Sequence, residues 1–261
     1  MSGHEKLSQL GRIVWNSKNE FQIDGTNFFA SIDPAVYSVR KSTEESLLIV
    51  KNREMIESEL QLSGQLECQN IVDLGVWQGG SVALLDSLFC PDKLVAIEYS
   101  DIELPALDSY IKKKNRSSHI SVNKSVNQAD QRTVKRILDR EFGTNEIDLV
   151  VDDASHLYEE TKASFDLIFP RVRENGLFII EDWQWSTMPD HYDLEYFRNR
   201  KGLLNLVMQC TALCACRPDI VSQVLIFPHA ALITRGGADL SGDFDIESLA
   251  LNKGEPVPLV F

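Results

Sequence analysis

A chain of 261 residues with 43% hydrophobic content can bury one sizeable core, which excludes intrinsic disorder. Its 39 acidic against 26 basic residues leave a net charge of −13, a field that repels phosphate backbones over most of the surface. The densest basic run, Lys112 to Arg116, is too short to track a nucleic acid, so nucleic acid is excluded as the main partner. No uninterrupted apolar run reaches membrane-spanning length, and MSGHEKLSQLGRIVW lacks the basic-then-apolar order of a secretory signal. The expectation is a soluble, cytoplasmic protein with no membrane partner.

Taken in chain order, the first 65 residues have turn residues and scattered aromatics in FQIDGTNFFASIDPAVYSVRKS but no sustained period, which suggests a cap or lid. Ser42 or Thr43 is expected to start a helix whose apolar stripe is Leu47, Leu48, Val50, Met55, Ile56 and Leu60. From Glu67 to Gly236 short apolar runs alternate with amphipathic segments, the pattern of a mostly parallel sheet covered by helices on both faces. The expected strands are Asn70 to Leu74, Lys93 to Glu98, His119 to Val122, Ile147 to Val151 and Gly176 to Glu181. Gly80 to Leu88, Leu104 to Lys114, Gln128 to Phe142 and Tyr158 to Val172 read as the intervening helices. Only Pro228 and His229 separate Val221–Phe227 from Ala230–Thr234, so these two runs form an antiparallel hairpin at one edge. The expected fold is therefore α/β, a doubly wound Rossmann-like seven-stranded sheet with an antiparallel terminal hairpin and an N-terminal helical cap or lid. Its expected boundaries are 1–65 for the lid and cap helix, 66–236 for the sheet domain and 237–261 for the tail.

Cys68, Cys90, Cys210, Cys214 and Cys216 are an odd number of cysteines without an export signal and read as reduced thiols. The last three superficially have metal-like spacing, yet LLNLVMQCTALCAC is an apolar run in which cysteines pack as small hydrophobes.

The chemistry concentrates in two places. The first is IVDLGVWQGGSVALL followed by KLVAIEYS: a strand, a glycine loop, a helix and a second strand ending in an acid. Gly75 and Gly79 allow a sharp turn and close backbone approach to a ligand, and the helix start offers free N–H groups to an anion. Glu98 stands 23 positions after Gly75, where a carboxylate can accept from two ribose hydroxyls. Trp77, two after Gly75, would crowd a dinucleotide pyrophosphate, so nicotinamide binding is disfavoured. The glycines could also serve only a tight strand-to-helix turn. The second place is IDLVVDDASH and GLFIIEDWQW, which end two strands expected to be neighbours and bring Asp152, Asp153, His156, Glu181 and Asp182 to the same rim. Carboxylates so crowded require protons or a hard cation such as magnesium or calcium. Alone, Asp153 or Ser155 would cap the helix near Tyr158, and Asn127 would cap the one near Gln128. Trp183 and Trp185 either line a substrate pocket or pack in the core.

The D-x-G-x-x-x-G loop resembles the first motif of class I S-adenosylmethionine-dependent methyltransferases. With GVWQGGS, DDASH and the stretch Phe165 to Trp183, the chain resembles the magnesium-dependent macrolide-sugar O-methyltransferases of antibiotic biosynthesis and the related family labelled cephalosporin hydroxylases, over roughly Ile71 to Arg235. The resemblance implies S-adenosylmethionine as cofactor, held by Asp73, Gly75, Gly79, Gly80, Ser81, Glu98, Tyr99, Asn127 and Asp152, with Gln128 also near the adenine. It implies Mg2+ on Asp153, Glu181 and Asp182, catalysis by His156 as base with Asp153, and methyl transfer to a hydroxyl of a small natural product. Ala154 departs from the glycine common in that family. A related hydroxylase-like reaction, or a non-catalytic cofactor-binding accessory role, stays open, as does a homo-oligomeric state.

Overall fold

The computed structural model describes residues 9–260, so the first eight residues of the expected lid and Phe261 of the expected tail lie outside the described residues. Its centre is a seven-stranded sheet. Strands β5 (Asn70–Leu74), β6 (Lys93–Ile97), β7 (Ile120–Asn123), β8 (Ile147–Asp152) and β9 (Val172–Glu181) run parallel, and β10 (Val221–Ile226) and β11 (Ala230–Arg235) form the expected hairpin. The spatial order is β10-β11-β9-β8-β5-β6-β7. β11 is antiparallel to both β9 and β10, so the outermost β10 runs with the parallel set and β11 alone is reversed.

Each central strand is buried along its length because helices cover both faces. Successive side chains alternate between the two cores: Ile71 and Leu149 face one, Val72 and Val150 the other. Helices α3 (Gly80–Phe89) and α4 (Pro105–Lys113) cover the first face, while α5 (Gln131–Phe142), α6 (Tyr158–Ile168) and α8 (Leu204–Cys216) cover the second. In α8 Cys210 is fully buried, but Cys214 is half-buried and Cys216 exposed, so the core reading of the cysteine cluster holds in full for the first. No helix among the described residues is long and apolar enough to cross a membrane.

The N-terminal segment departs from the helical expectation. Strands β1 (Val14–Trp15), β2 (Glu20–Ile23), β3 (Thr26–Ala30) and β4 (Leu47–Ile49) form a second sheet, interrupted by the one-turn helix α1 (Pro34–Tyr37). Asp24 and Gly25, both at positive φ, make the two-residue turn joining β2 to β3; this is the Asp-Gly hairpin chemistry that matches strand twist. Phe21, Ile23, Phe28 and Ala30 then alternate inward. The run Leu47–Ile49 is a strand paired in parallel with β3, not the first turn of a helix. A short continuous apolar run fits either state by pattern, and burial of all three side chains decides for the strand. The helix, α2 (Arg53–Ser63), begins only after Asn52, whose side chain accepts from the Met55 N–H at 2.9 Å. Phe21, Phe28, Leu47, Ile56 and Leu60 belong to the same apolar cluster as Ile71 and Leu149, so this unit shares the first core.

Two helix boundaries also differ. Helix α5 starts at Gln131, capped by Asp130 rather than by Asn127. Helix α6 stops at Ile168 ahead of a 3-10 turn containing Pro170, and β9 starts at Val172, because proline cannot continue a helical hydrogen-bond ladder.

The N-terminal sheet meets the main body where the Leu48 carbonyl lies over Gly80. A Cβ on Gly80 would stand 2.0 Å from that backbone oxygen. Gly80→Ala should therefore cost about 1–3 kcal/mol, as overpacking against rigid neighbours does. It should also loosen residues 14–51 in particular, read as faster limited proteolysis there than in the main sheet.

Candidate active site at the carboxyl ends of the strands

Register aligns the functional residues. Ile97 pairs with Leu74, Leu74 with Asp152 and Asp152 with Ile180, so the next residues, Glu98, Gly75, Asp153 and Glu181, stand in a row along one rim. Gly75, at φ +94°, lets the loop pass over Asp153: a Cβ there would be 2.2 Å from the Asp153 carbonyl oxygen. The Gly79 position faces Leu107, so both glycines serve close packing as well as the turn.

Glu98 organises the loop. One oxygen accepts from the Val76 and Trp77 N–H groups, both at 2.9 Å; the other accepts from the Ser100 N–H at 2.8 Å and its hydroxyl at 2.6 Å. Burial alone would raise the Glu98 pKa, but these four donors outweigh it and hold the carboxylate below its usual range. Asp73 is fully buried. One of its oxygens accepts from the Ser81 hydroxyl at 2.8 Å and the other has no partner, and burial raises its pKa to about 7. Asp152 is likewise raised to about 7 by burial, against donation from Ser164 at 2.8 Å and Gln128 at 3.1 Å. Gln128 also reaches Thr161 and Ser164, so its amide mainly holds this internal network.

Beyond the rim lies a cavity of about 680 Å³. Of the residues expected to act, Gly75, Gly80, Ser81, Glu98, Tyr99, Asn127, Asp153, His156, Glu181 and Asp182 line it. Asp73, Gly79 and Asp152 are absent from that lining. Trp185 lines it beside the His156 ring, with ring centroids 4.3 Å apart, whereas Trp183 donates its indole N–H to the Phe227 carbonyl and packs in the second core. Asn127 accepts from the Ala129 N–H in a local turn, and Ser155 accepts from the Leu157 N–H; neither caps a helix.

Asp153, His156 and Asp182 offer ligand atoms that all lie within 4.8 Å of one another. His156 and Asp182 both adopt left-handed backbone conformations, φ +55° and +52°, which turn them back over the strand ends. Asp182 is further fixed by its N–H donating to the His229 carbonyl at 2.7 Å. Burial lowers the His156 pKa, opposed by Asp182 and by a hydrogen bond to the Glu181 carbonyl. Glu181 stands outside that triplet. Its carboxylate is paired with the Lys51 ammonium, which also donates to Glu59 at 2.9 Å. Burial would lower the Lys51 pKa, but Glu181, Glu59 and Asp153 raise it well above the usual value, so the lysine is charged. Sequence reasoning missed Lys51, which follows β4 and reaches the rim only because the N-terminal sheet docks there; a buried position for Lys is exceptional without paired acids, and Glu59 lies two helical turns away.

Residues 72–183 match the family model described as a methyltransferase domain. The mycinamicin VI 2''-O-methyltransferase of Micromonospora griseorubida is 29% identical over 111 residues, 42% of this chain and 24% of that protein. The demethylmacrocin O-methyltransferase of Streptomyces fradiae is 51% identical over 35 residues, 13% of this chain and 9% of that protein. Among solved structures, the MycE methyltransferase of the mycinamycin biosynthetic pathway, in complex with Mg, S-adenosylhomocysteine and mycinamycin VI, aligns with a TM-score of 0.53 at 20% identity, covering 74% of this chain and 52% of that one. The chain thus spans about half the length of that solved relative, and a quarter or less of the two curated ones. The fold is that of the solved methyltransferase, and the match to the methyltransferase-domain model runs through β5 to β9, the strands that carry the rim residues.

Asp73 supplies a direct check on the buried acids. Its pKa is raised in the folded chain, so the native state holds a proton that the unfolded state releases between about pH 4 and 7, and this contribution to stability is lost as pH rises through that window. Asp73→Asn removes the titration, so its stability relative to the parent should increase from pH 4.5 to pH 7.5 in denaturant unfolding without cofactor.

Proposed function

We propose that the protein is an S-adenosylmethionine-dependent, metal-assisted O-methyltransferase acting on a hydroxyl of a small natural product. The observation that carries this reading is one cavity lined by two chemically distinct groups, the Glu98-ordered glycine loop and the Asp153, His156 and Asp182 triplet.

The residues fit the cofactor. Asp73 keeps a buried carboxylate oxygen without a partner behind the loop, and Glu98 stands where a ribose would lie. All four acceptor positions of Glu98 are used by the chain itself, so ribose hydroxyls would share or displace the Ser100 hydroxyl. Tyr99, Asn127, Gly80 and Ser81 complete that lining group. The residues also fit a hard divalent ion: Asp153 and Asp182 would hold it, with Glu181 behind them and paired to Lys51. Such an ion supplies Lewis acidity to a coordinated hydroxyl and anchors its neighbour.

His156 is the base. Its ring N–H bonds to the Glu181 carbonyl, which leaves the other ring nitrogen free to accept the proton of the acceptor hydroxyl, and burial keeps the ring neutral at working pH. Asp182, whose charge raises the His156 pKa, stabilises the imidazolium that results, with Asp153 3.9 Å from His156 Nε2. Trp185 packs on the imidazole and fixes its plane. Trp77 and Tyr196, both partly exposed, supply aromatic walls for an apolar acceptor face.

The macrolide-sugar acceptors named for the relatives make a glycosylated or polyhydroxylated natural product the acceptor class to test first. A panel of such compounds should accept methyl from labelled S-adenosylmethionine, lose it in excess chelator and regain it with magnesium; full activity in chelator would remove the ion from the mechanism. His156→Ala should lower kcat by about 10²–10⁴ with cofactor affinity nearly intact. Because burial lowers the His156 pKa, the acid limb of kcat/KM should lie below 6.5 and be absent in that variant. Glu98→Gln should weaken S-adenosylmethionine binding by about 1.5–3 kcal/mol, measured by calorimetry, whereas Ser100→Ala should not.

A further inference from the structure

Lys51 is an unusual member of an acidic site. Its side chain is 7% exposed, and its ammonium lies between Glu59, 13% exposed, and Glu181, 6% exposed, at the rim of the cavity beyond the strand ends. Glu59 is itself held from the far side: His229 Nε2 lies 3.4 Å from its Oε1 and 3.2 Å from the Ser58 hydroxyl. The lysine is thus fixed by two elements, α2 and β9, and cannot swing out to solvent without abandoning two buried carboxylates. Lys51 also acts electrostatically on Asp153, which in turn feels Asp182 and Glu59, so four carboxylates and one ammonium form a single charge cluster. A positive charge at this range opposes any cation entering the cluster, and in a partly buried site the effect is poorly screened.

We propose that Lys51 sets the cation affinity of the acidic rim: as a permanent positive charge supplied by the N-terminal unit, it cancels one carboxylate and keeps a divalent ion loosely and exchangeably held. It is a positioning and charge-setting residue, not one that touches the acceptor. The inference rests on the reading of Asp153 and Asp182 as the ion's ligands.

The test is direct Mn2+ binding to the full chain without acceptor, followed by calorimetry and by the electron paramagnetic resonance of free Mn2+. Lys51→Met should bind Mn2+ at least tenfold more tightly than the parent, with S-adenosylmethionine affinity changed less than twofold. Glu59→Gln, which leaves Lys51 in place and removes one negative charge, should bind Mn2+ more weakly than the parent. The double variant Lys51→Met with Glu59→Gln should return close to the parent affinity. If Lys51→Met alone does not fold, the comparison of Glu59→Gln with the double variant isolates the same charge, and tighter binding in the double variant is expected. Equal or weaker Mn2+ binding on removal of Lys51, in either background, overturns the proposal. A parent protein that binds S-adenosylmethionine but no Mn2+ overturns the ion-binding reading itself, a result distinct from unchanged affinity among variants of a parent that does bind it.

Discussion

Negative charge is crowded at one end of the sheet, and the rest of the site is arranged around that crowding. Asp153, Glu181, Asp182 and Glu59 come together because strand register aligns the ends of β8 and β9 and because α2 lies across them. Left to themselves they would repel or take up protons. Lys51 answers part of that demand from inside the chain, and the Asp153, His156 and Asp182 triplet carries the remainder. The same crowding explains why the N-terminal sheet is not a detachable ornament: undocking it would leave Glu59 and Glu181 without their shared cation.

The glycine loop follows a different rule. There a single carboxylate, Glu98, gathers four donors from the glycine loop and from Ser100, so the loop is ordered by the acid that ends β6 rather than by its glycines. Gly75 and Gly80 do something else: they let Asp153 and Leu48 approach the loop backbone closely, which packs β8 and the N-terminal sheet against the loop.

Much of this was legible in the sequence where one physical signal dominated. Buried parallel strands read as continuous apolar runs, so β5, β6 and β8 fell within a residue or two of expectation, and the two-residue Pro228–His229 link left the hairpin no alternative. The acids at the ends of β8 and β9 were visible because strand order implies that those ends are neighbours. The N-terminal sheet was hidden by ambiguity: Leu47–Ile49 suits a strand or a helix, and the Asp24-Gly25 turn signal was present but lay among scattered aromatics that looked aperiodic. Lys51 and Gln128 were hidden for a deeper reason. Each is polar and each is buried against partners remote in the chain, Glu181 and Asp152, and no local pattern announces a long-range pairing.

The ion pair between Lys51 and Glu181 spans 130 residues. During synthesis the ribosome delivers the lysine and Glu59 long before Glu181, and closing so large a loop carries an entropic cost that only later contacts offset. Until β9 emerges, Glu59 on α2 is the one of its two carboxylate partners that the lysine can reach. The pair therefore ties the N-terminal sheet to the end of β9 only once most of the main sheet has been made.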